Sequence, residues 1–184
     1  KIKFSLKLKL ILVTLLFIVI IINLGGWYIY YQLKYTLDKQ AGEHLIQIGN
    51  FNKEVIKEYQ MNMGSGDEES HSYKLILKKL IDLENNFELE RAVILRLDGA
   101  VLVDLHKEYR LGEYYDLITL NSEEFQKVKA GSYSSTFLYK GPGDNFYKSV
   151  FIPLKNSRGK IFGVLGLENT AGYLIIIKNL KNII

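Results

Sequence analysis

The sequence has 184 residues, enough for one ordinary globular domain with an appendage, and it contains no cysteine. The lack of cysteine excludes a disulfide framework, a lipidated cysteine and a zinc–thiolate site. The net charge is +4, and residues 1–9 hold four lysines and no acid, so the remaining 20 basic residues balance the 20 acidic ones. The positive charge therefore belongs to this N-terminal tip, and we expect no nucleic-acid-binding face.

An uncharged and strongly apolar stretch, LILVTLLFIVIIINLGGWYIYY, covers residues 10–31. As a helix it would be about 33 Å long, which matches the hydrocarbon core of a bilayer. The lysines precede it, and Trp27 and three tyrosines lie at its far end. This arrangement predicts a transmembrane helix with a cytoplasmic N-terminus and with the residues after about 31 outside the cytoplasm. The alternative is a cleaved signal peptide, although its apolar part would be shorter and would be followed by a better cleavage site.

Residues 32–89 show helical spacing. Apolar residues recur at steps of three, four or seven from residue 37 to residue 59, which predicts a long helix that begins directly after the membrane segment. The near-heptad spacing suits pairing with a second copy, which would give a homodimer, or packing on a sheet later in the chain. Gly42 and Gly49 are expected to weaken this helix locally.

A loop, MGSGDEES, follows at 63–70, and a shorter amphipathic helix is predicted over 72–85. The pattern then changes to short, β-branched strands with turn residues between them. The predicted strands are 91–97, 100–104, 133–140, 145–154 and 160–168. Asp98-Gly99 is a hairpin turn, because glycine accepts a positive φ without steric cost. Pro153, which has no N–H group, is expected at a strand end or at the sheet edge.

A short helix is predicted over 122–131, with Ser122 as its N-cap and Gly131 as its C-cap. The short turns make the strands mostly antiparallel. Five antiparallel strands with helices on one side give an α+β domain. A further helix is predicted to begin at Ala171.

Three stretches carry a resemblance to a known family: RAVILRLDGAVLVD, LGEYYDLITLNSEEFQKVKAGSYSSTFLY and YKSVFIPLKNSRGKIFGVLGLENTAGYL. Their order resembles the extracytoplasmic PAS-like, single-Cache type, sensor region of bacterial membrane receptors, above all sensor histidine kinases. The match covers roughly residues 90–184. The resemblance implies a PAS-like five-stranded antiparallel sheet with a long N-terminal helix continuous with the transmembrane helix.

Together with the apolar segment and the helical spacing described above, the resemblance implies an organisation in five parts. These are a cytoplasmic tip (1–9), a transmembrane helix (10–31), extracytoplasmic helices (32–89), a PAS-like sensor domain (90–170) and the start of a helix that leads to a second span (171–184). The chain would be the input part of a longer receptor in a bacterial cell membrane, part of a two-component system, and not itself an enzyme. Alternatives are the sensor region of a chemoreceptor or of a diguanylate cyclase. A pilin-like structural subunit is an alternative of a different class, although the apolar stretch lacks the glutamate that pilins carry.

Lys148 is the residue that stands out as a candidate site. It shares a strand face with Phe146, Val150 and Ile152, so its ammonium group would be drawn into the interior and would need an acidic partner. One interpretation is that Lys148 receives the carboxylate of a small anionic ligand in the PAS-like cavity. The other is that it pairs with Asp104 or Glu168, or reaches water from a sheet edge.

Four further residues are candidate neighbours of Lys148 in a ligand site. They are Tyr147, Tyr133, Ser135 and Arg110. The three histidines lack metal-ligand spacing and no catalytic constellation occurs, so we expect no metal, no cofactor and no catalytic residue. The expected partners are the membrane, a second copy of the chain and a small-molecule ligand.

Overall fold

The computed structural model describes residues 5–53, 56–57, 61, 63, 66–141 and 145–174. The helices are α1 (Leu6–Asn52), α2 (His71–Phe87), α3 (Leu117–Leu120) and α4 (Ser122–Lys129). The strands are β1 (Arg91–Leu95), β2 (Val101–Asp104), β3 (Ser134–Ser135), β4 (Tyr139–Lys140), β5 (Phe146–Lys155) and β6 (Ile161–Thr170). The chain divides into two compact units, with boundaries after Leu37 and after Gly172.

In the first unit, α1 presents an apolar surface that is not covered by protein. Its large side chains from Leu10 to Leu24 are each more than two-fifths exposed, and no residue is buried in its most apolar 18-residue window. By length and composition, α1 can cross a membrane. At the end of this stretch Trp27 packs edge-on against Tyr31, with ring centroids 4.8 Å apart.

In the second unit, the continuation of α1 has a buried face. Its buried residues are Gly42, Leu45, Ile48 and Gly49, and the two apolar side chains join a core formed with α2 and the sheet. A Cβ atom on Gly49 would lie 1.9 Å from Cδ1 of Ile152, so only glycine allows the helix to approach β5 this closely. Of the two packing partners predicted for this helix, the sheet is confirmed on this face, and the second copy stays a prediction.

The sheet is antiparallel throughout, with the order β2-β1-β6-β5-β3, and β4 also pairs with β5. The last strand, β6, therefore lies in the centre, between β1 and β5. One core lies between the sheet and α1 with α2, and it contains Ile94, Ile152 and Leu167. A second core lies on the other face with α3 and α4, and it contains Phe125 and Phe151. Helices thus cover both faces, where the sequence indicated one.

The predicted α+β class is confirmed, with six strands in the described residues where five were predicted. The difference comes from the predicted strand 133–140, which pairs with β5 at two short sections and leaves it at residues 136–138. At this break the backbone N–H and the hydroxyl of Thr136 both donate to the carbonyl of Ser149, at 2.9 and 3.2 Å. The side chain of Thr136 is buried there, so the strand is interrupted without loss of hydrogen bonding.

Most other predicted elements are confirmed to within a few residues. The β1–β2 hairpin forms around Gly99, whose φ is +92°, and the Ala100 N–H is 3.1 Å from the Asp98 carboxylate. α3 was not predicted, because its four apolar-rich residues are too few to show a period. Pro153 lies inside β5 and not at a strand end, but beyond the section of β5 that pairs with β3.

The caps predicted for α4 are each displaced by one residue. The N-cap is Asn121 and not Ser122, and the C-cap is Ala130, directly before Gly131. Gly131 has a φ of +98°, the left-handed conformation that commonly ends a helix. Most of the turn predicted between strands 133–140 and 145–154, and most of the helix predicted from Ala171, lie outside the described residues.

Candidate functional site

Lys148 is buried on β5 and forms an ion pair with Asp38 of α1. Its ammonium nitrogen is 2.9 Å from Oδ1 and 2.8 Å from Oδ2 of the Asp38 carboxylate. Only 5% of Lys148 is exposed, so the ammonium group depends on this carboxylate for much of its stabilisation. The pair joins positions that are 110 residues apart in the sequence.

The partners predicted for Lys148, Asp104 or Glu168, are wrong. Glu168 faces the other side of the sheet, because it is paired with Ser149 in the β5–β6 register and neighbouring strand residues point to opposite faces. Asp104 is engaged with Arg91, whose Nε is 3.6 Å from Oδ1, and with backbone N–H groups of the loop that follows β2. Both acids are therefore committed elsewhere.

Gly42 allows α1 to approach Ser135, next to the Lys148–Asp38 pair. A Cβ atom at Gly42 would lie 2.6 Å from Oγ of Ser135 and 3.4 Å from Cε of Lys148. The Ser135 hydroxyl is itself buried and has no hydrogen-bond partner among the described residues. Gly42, Ser135 and Lys148 therefore form a tightly packed contact between α1 and the sheet, one turn along the helix from Asp38.

Tyr133 makes a further contact with α1. Its hydroxyl donates to Oδ1 of Asn50 at 2.8 Å and lies 3.2 Å from the ammonium nitrogen of Lys53. The same ammonium group lies 5.7 Å from the centre of the Tyr133 ring, within cation–π range. This contact is partly exposed, so loss of one partner should cost less than loss of one partner of the buried pair at Lys148.

The other two predicted site residues lie apart from Lys148. Tyr147 stacks on Tyr139 of the neighbouring strand, with ring centroids 6.1 Å apart. Arg110 is exposed at an open surface groove of about 700 Å³, which Lys107 and Glu113 also line. Three of the five predicted residues thus contact α1: Lys148 and Ser135 near Gly42, and Tyr133 further along the helix at Asn50. Ligand binding by any of them stays a prediction.

A second polar group, which we call the Glu168 cluster, lies on the opposite face and consists of Glu168, Ser149 and Tyr139. The Ser149 hydroxyl donates to Oε2 of Glu168 at 3.0 Å and lies 2.7 Å from the Tyr139 hydroxyl, which also donates to Oε2. One residue comes from each of β4, β5 and β6. The cluster therefore ties three neighbouring strands together at one carboxyl group.

The protonation of Glu168 is unusual for a carboxylic acid. Burial raises its pKa to about 7, and the nearby guanidinium of Arg91 only partly opposes this effect. The carboxylates of Glu108 and Glu90 raise the pKa further. Near neutral pH, Glu168 therefore exists in both the protonated and the ionised form, and small changes in its surroundings shift the balance.

The sequence alone did not reveal this cluster. Glu168 ends an apolar run, and Tyr139 and Ser149 lie in strands where tyrosine and serine are unremarkable. The available signal was the alternation in β5 and β6, which places an acid and a hydroxyl on the face opposite Lys148. The pairing register was needed to show that they meet.

The two polar groups lie back to back at one point in the sheet. Lys148 and Ser149 are consecutive in β5, paired with Asn169 and Glu168 of β6. Consecutive strand residues point to opposite faces, so one step of β5 connects the α1 contact to the Glu168 cluster.

No protein-family model matches the sequence, and no curated protein matches it. Among solved structures, the sensor domain of DcuS from E. coli covers 80% of this chain and 98% of its own, with a TM-score of 0.52 and 12% identity. The chain has a PAS-like fold. A sensory box sensor histidine kinase from Vibrio cholerae is also similar (TM-score 0.36, 11% identity, 53% of this chain and 94% of that chain). The ligand-binding domain of the Campylobacter jejuni chemoreceptor Tlp3, in complex with L-valine, is similar as well (TM-score 0.42, 13% identity, 80% of this chain and 65% of that chain).

Proposed function

We propose that this chain is the extracytoplasmic input region of a bacterial transmembrane receptor, most like a two-component sensor histidine kinase. The observation that supports this most is the combination of a PAS-like sensor fold with an N-terminal helix that is long and apolar enough to cross a membrane. In this proposal the chain itself has no catalytic activity. It detects a stimulus and passes the result to an output domain elsewhere in the receptor.

The orientation follows from charge. The lysines at positions 1–9 precede the apolar segment, so the N-terminus stays in the cytoplasm and the PAS-like unit lies outside. The chain contains no cysteine, so a single introduced cysteine reports its own location. Glu123, on α4, and Lys7, at the start of α1, are both exposed and are suitable positions.

The experiment is thiol labelling of the full chain in intact bacterial cells with a membrane-impermeant maleimide. We expect the Glu123→Cys variant to react in intact cells and the Lys7→Cys variant to react only after the membrane is permeabilised. The opposite pattern, or equal labelling of both variants only after permeabilisation, would exclude an extracytoplasmic sensor.

The stimulus proposed here is a small molecule that acts on the sheet face of the Glu168 cluster. An anion at Lys148 would have to displace the Asp38 carboxylate, which already contacts the ammonium group through both oxygens. Glu168, by contrast, is held only by uncharged hydroxyl donors in the cluster. This face is therefore better suited to respond to a newly arrived group than the α1 face is.

A thermal-shift screen tests this location, with the full chain in lipid nanodiscs and a panel of amino acids, amines and small carboxylic acids. A compound that acts at the cluster should raise the unfolding temperature of the wild type and have a smaller effect on the Glu168→Gln variant. A compound whose effect is lost in Lys148→Met and kept in Glu168→Gln would instead place the ligand on the α1 face.

We propose that the receptor acts as a homodimer, because small displacements between paired helices are a common two-state element in receptors. Tyr35 is exposed on α1 and leaves room for a second helix. Oxidative cross-linking of a Tyr35→Cys variant in membranes should give a covalent dimer, and a scan through positions 32–36 should show helical periodicity. Cross-linking that is uniform along this scan would indicate random collision and not a specific dimer.

A further inference from the structure

Residues 148 and 149 of β5 connect the two polar groups across the sheet. On one face Lys148 holds Asp38 of α1 at 2.8 Å, and on the other the Ser149 hydroxyl holds Glu168 at 3.0 Å. Both residues of β5 are almost fully buried, with 5% and 2% of their surfaces exposed. A change at Glu168 that moves the backbone of β5 at Ser149 therefore moves Lys148 with it.

We propose that this step of β5 couples the proton occupancy of Glu168 to the position of α1 against the sheet. The inference deepens the sensor function proposed above, because it identifies how an event on one face of the sheet regulates the helix on the other. The two states differ by one proton, which leaves the Glu168 carboxyl group and passes to water. Lys148 and Asp38 act as positioning residues that transmit the change.

The physical basis is the hydrogen bonding at Glu168. When the carboxyl group is protonated, it is uncharged and shares its oxygen with the hydroxyls of Ser149 and Tyr139. When the proton leaves, a negative charge remains in a partly buried place that also feels the carboxylates of Glu108 and Glu90. The ionised carboxylate favours water and strong donors, so the three strands that meet there settle into a different arrangement.

Close packing of the buried groups allows a rearrangement at Glu168 to displace Lys148 on the other face of the sheet. Ser149 is enclosed between Thr136, whose hydroxyl accepts from its N–H at 3.1 Å, and the Glu168 cluster. On the other face a Cβ at Gly42 would already clash with Ser135 beside Lys148. Closely packed groups of this kind move as a unit rather than deform gradually.

Several other titratable and charged groups face Glu168, and the experiment must distinguish their effects from those of Glu168. Arg91 and Glu90 approach from the β1 side, and Glu108 and His106 come from the loop after β2. His106 also lies 3.3 Å from the buried Glu84 of α2. The remaining groups are the hydroxyls of Tyr139 and Tyr115.

The experiment measures the distance between α1 and the far side of the sheet as a function of pH. All three histidines are replaced by glutamine, so that no imidazole contributes to a pH response. Spin labels are attached at Gln40→Cys on α1 and at Glu123→Cys on α4, both exposed, in the full chain in lipid nanodiscs. Distances are measured by double electron–electron resonance from pH 5.5 to 8.5, and carboxyl NMR follows the protonation of Glu168 in the same samples.

We expect the distance to change by about 1–2 Å, the size of helix displacements in switching proteins, with the same midpoint as the Glu168 titration. Glu168→Gln should abolish the change. Lys148→Met should leave Glu168 titrating but remove most of the α1 response, and Asp38→Asn, a milder substitution, should reduce it. The matched control is Lys155→Met, which removes an exposed lysine from the same strand and should leave the response intact.

Three results would overturn the coupling: no titration of Glu168 between pH 5.5 and 8.5, a constant distance while Glu168 titrates, or a full response in both Lys148→Met and Asp38→Asn. If Lys148→Met does not fold, Asp38→Asn decides alone. These results leave the receptor proposal standing, because that proposal depends on topology and stimulus binding. Conversely, a cytoplasmic location of the PAS-like unit would remove the sensor function without changing the distances.

Discussion

The two faces of the sheet treat a charged side chain from the same pair of strands in different ways. On the α1 face, Lys148 is paired with the carboxylate of Asp38. On the α4 face, Glu168 receives hydrogen bonds from two hydroxyl groups, and burial raises its pKa to about 7. The comparison shows two ways in which neighbouring strands accommodate a buried ionisable side chain. Lys148 is paired with an opposite charge, whereas Glu168 has hydroxyl donors in its cluster and burial raises its pKa.

The largest effect is expected from removal of the buried ammonium group on the α1 face. Lys148→Met leaves the Asp38 carboxylate without this partner, and loss of one member of a buried pair costs several kcal/mol. The Asp38 side chain is 30% exposed, which limits its penalty, so we expect the free energy of unfolding to fall by about 3 kcal/mol. Urea unfolding of the full chain in detergent micelles, followed by circular dichroism, measures this difference.

The second substitution at that pair sharpens the comparison. Asp38→Leu combined with Lys148→Met replaces both charges by apolar groups, and such replacements are often neutral or stabilising. The double variant should therefore recover most of the lost stability. If it is as unstable as Lys148→Met alone, the loss comes from packing and not from removal of the Lys148–Asp38 ion pair.

Close approach of α1 to the sheet gives the next largest effect. Gly49→Ala places a Cβ atom 1.9 Å from Ile152, so the helix or the strand must shift, and we expect a loss of about 2 kcal/mol. Gly25→Ala in the same helix is the matched control, because nothing described lies within 4 Å of its added Cβ. There the gain in helix propensity should leave stability unchanged or slightly improved. Equal losses in both variants would contradict the packing argument.

On the α4 face the comparison predicts a pH dependence. The pKa of Glu168 is higher in the folded chain (about 7) than its usual value of 4.5, so the folded state holds the proton more tightly than the unfolded state between these values. This contribution to stability is present below pH 4.5 and is lost as the pH rises towards 7. Glu168→Gln removes that loss. Between pH 4.5 and pH 8, the free energy of unfolding of the variant should rise by about 1–2 kcal/mol relative to that of the wild type, after allowance for partial exposure of the site.

The measurement is the difference in unfolding free energy between wild type and Glu168→Gln at a series of pH values. Using the difference cancels the contribution of other groups, such as Glu84, whose pKa burial also raises. A difference that does not vary with pH would show that Glu168 titrates near its ordinary value.

The smallest effect is expected from Tyr139→Phe, which removes one hydroxyl from the Glu168 cluster. The loss of a hydrogen bond that is partly buried costs about 1 kcal/mol. The more informative readout is the Glu168 titration midpoint, because a hydroxyl that donates to the carboxylate stabilises its ionised form. The midpoint should therefore move to higher pH in Tyr139→Phe, and a movement to lower pH would contradict the donor role.

Much of the fold could be predicted from the sequence because its elements carry strong local patterns. The apolar segment, α2, the β1–β2 hairpin and the two long strands have clear periods and turn residues. The errors occur where tertiary contacts override local preference. Residues 133–140 look like one strand, but its pairing with β5 is interrupted after Thr136, whose hydroxyl also donates to the Ser149 carbonyl. Gly42 and Gly49 looked like weak points in a helix, and they are instead its places of closest contact.

The candidate site was less predictable, for a reason that concerns distance along the chain. The face of Lys148 follows from alternation within β5, but its partner lies on α1, in a segment with no signal that marks one acid over another. The Glu168 cluster needs the register between β5 and β6 and the end of β4, neither of which a single sequence specifies. Sequence reasoning therefore found the charge that needed a partner and missed the partner itself.

The central position of β6 also constrains the order in which the domain is made. The β1–β2 hairpin and the β3–β5 pairing can form as soon as their own residues leave the ribosome, but they remain two separate half-sheets until residues 161–170 arrive to join them. Pairings over such long stretches of chain form slowly. While they form, the apolar faces of both half-sheets stay exposed, so the interval before β6 is synthesised is the time at which this chain is most vulnerable to aggregation and proteolysis.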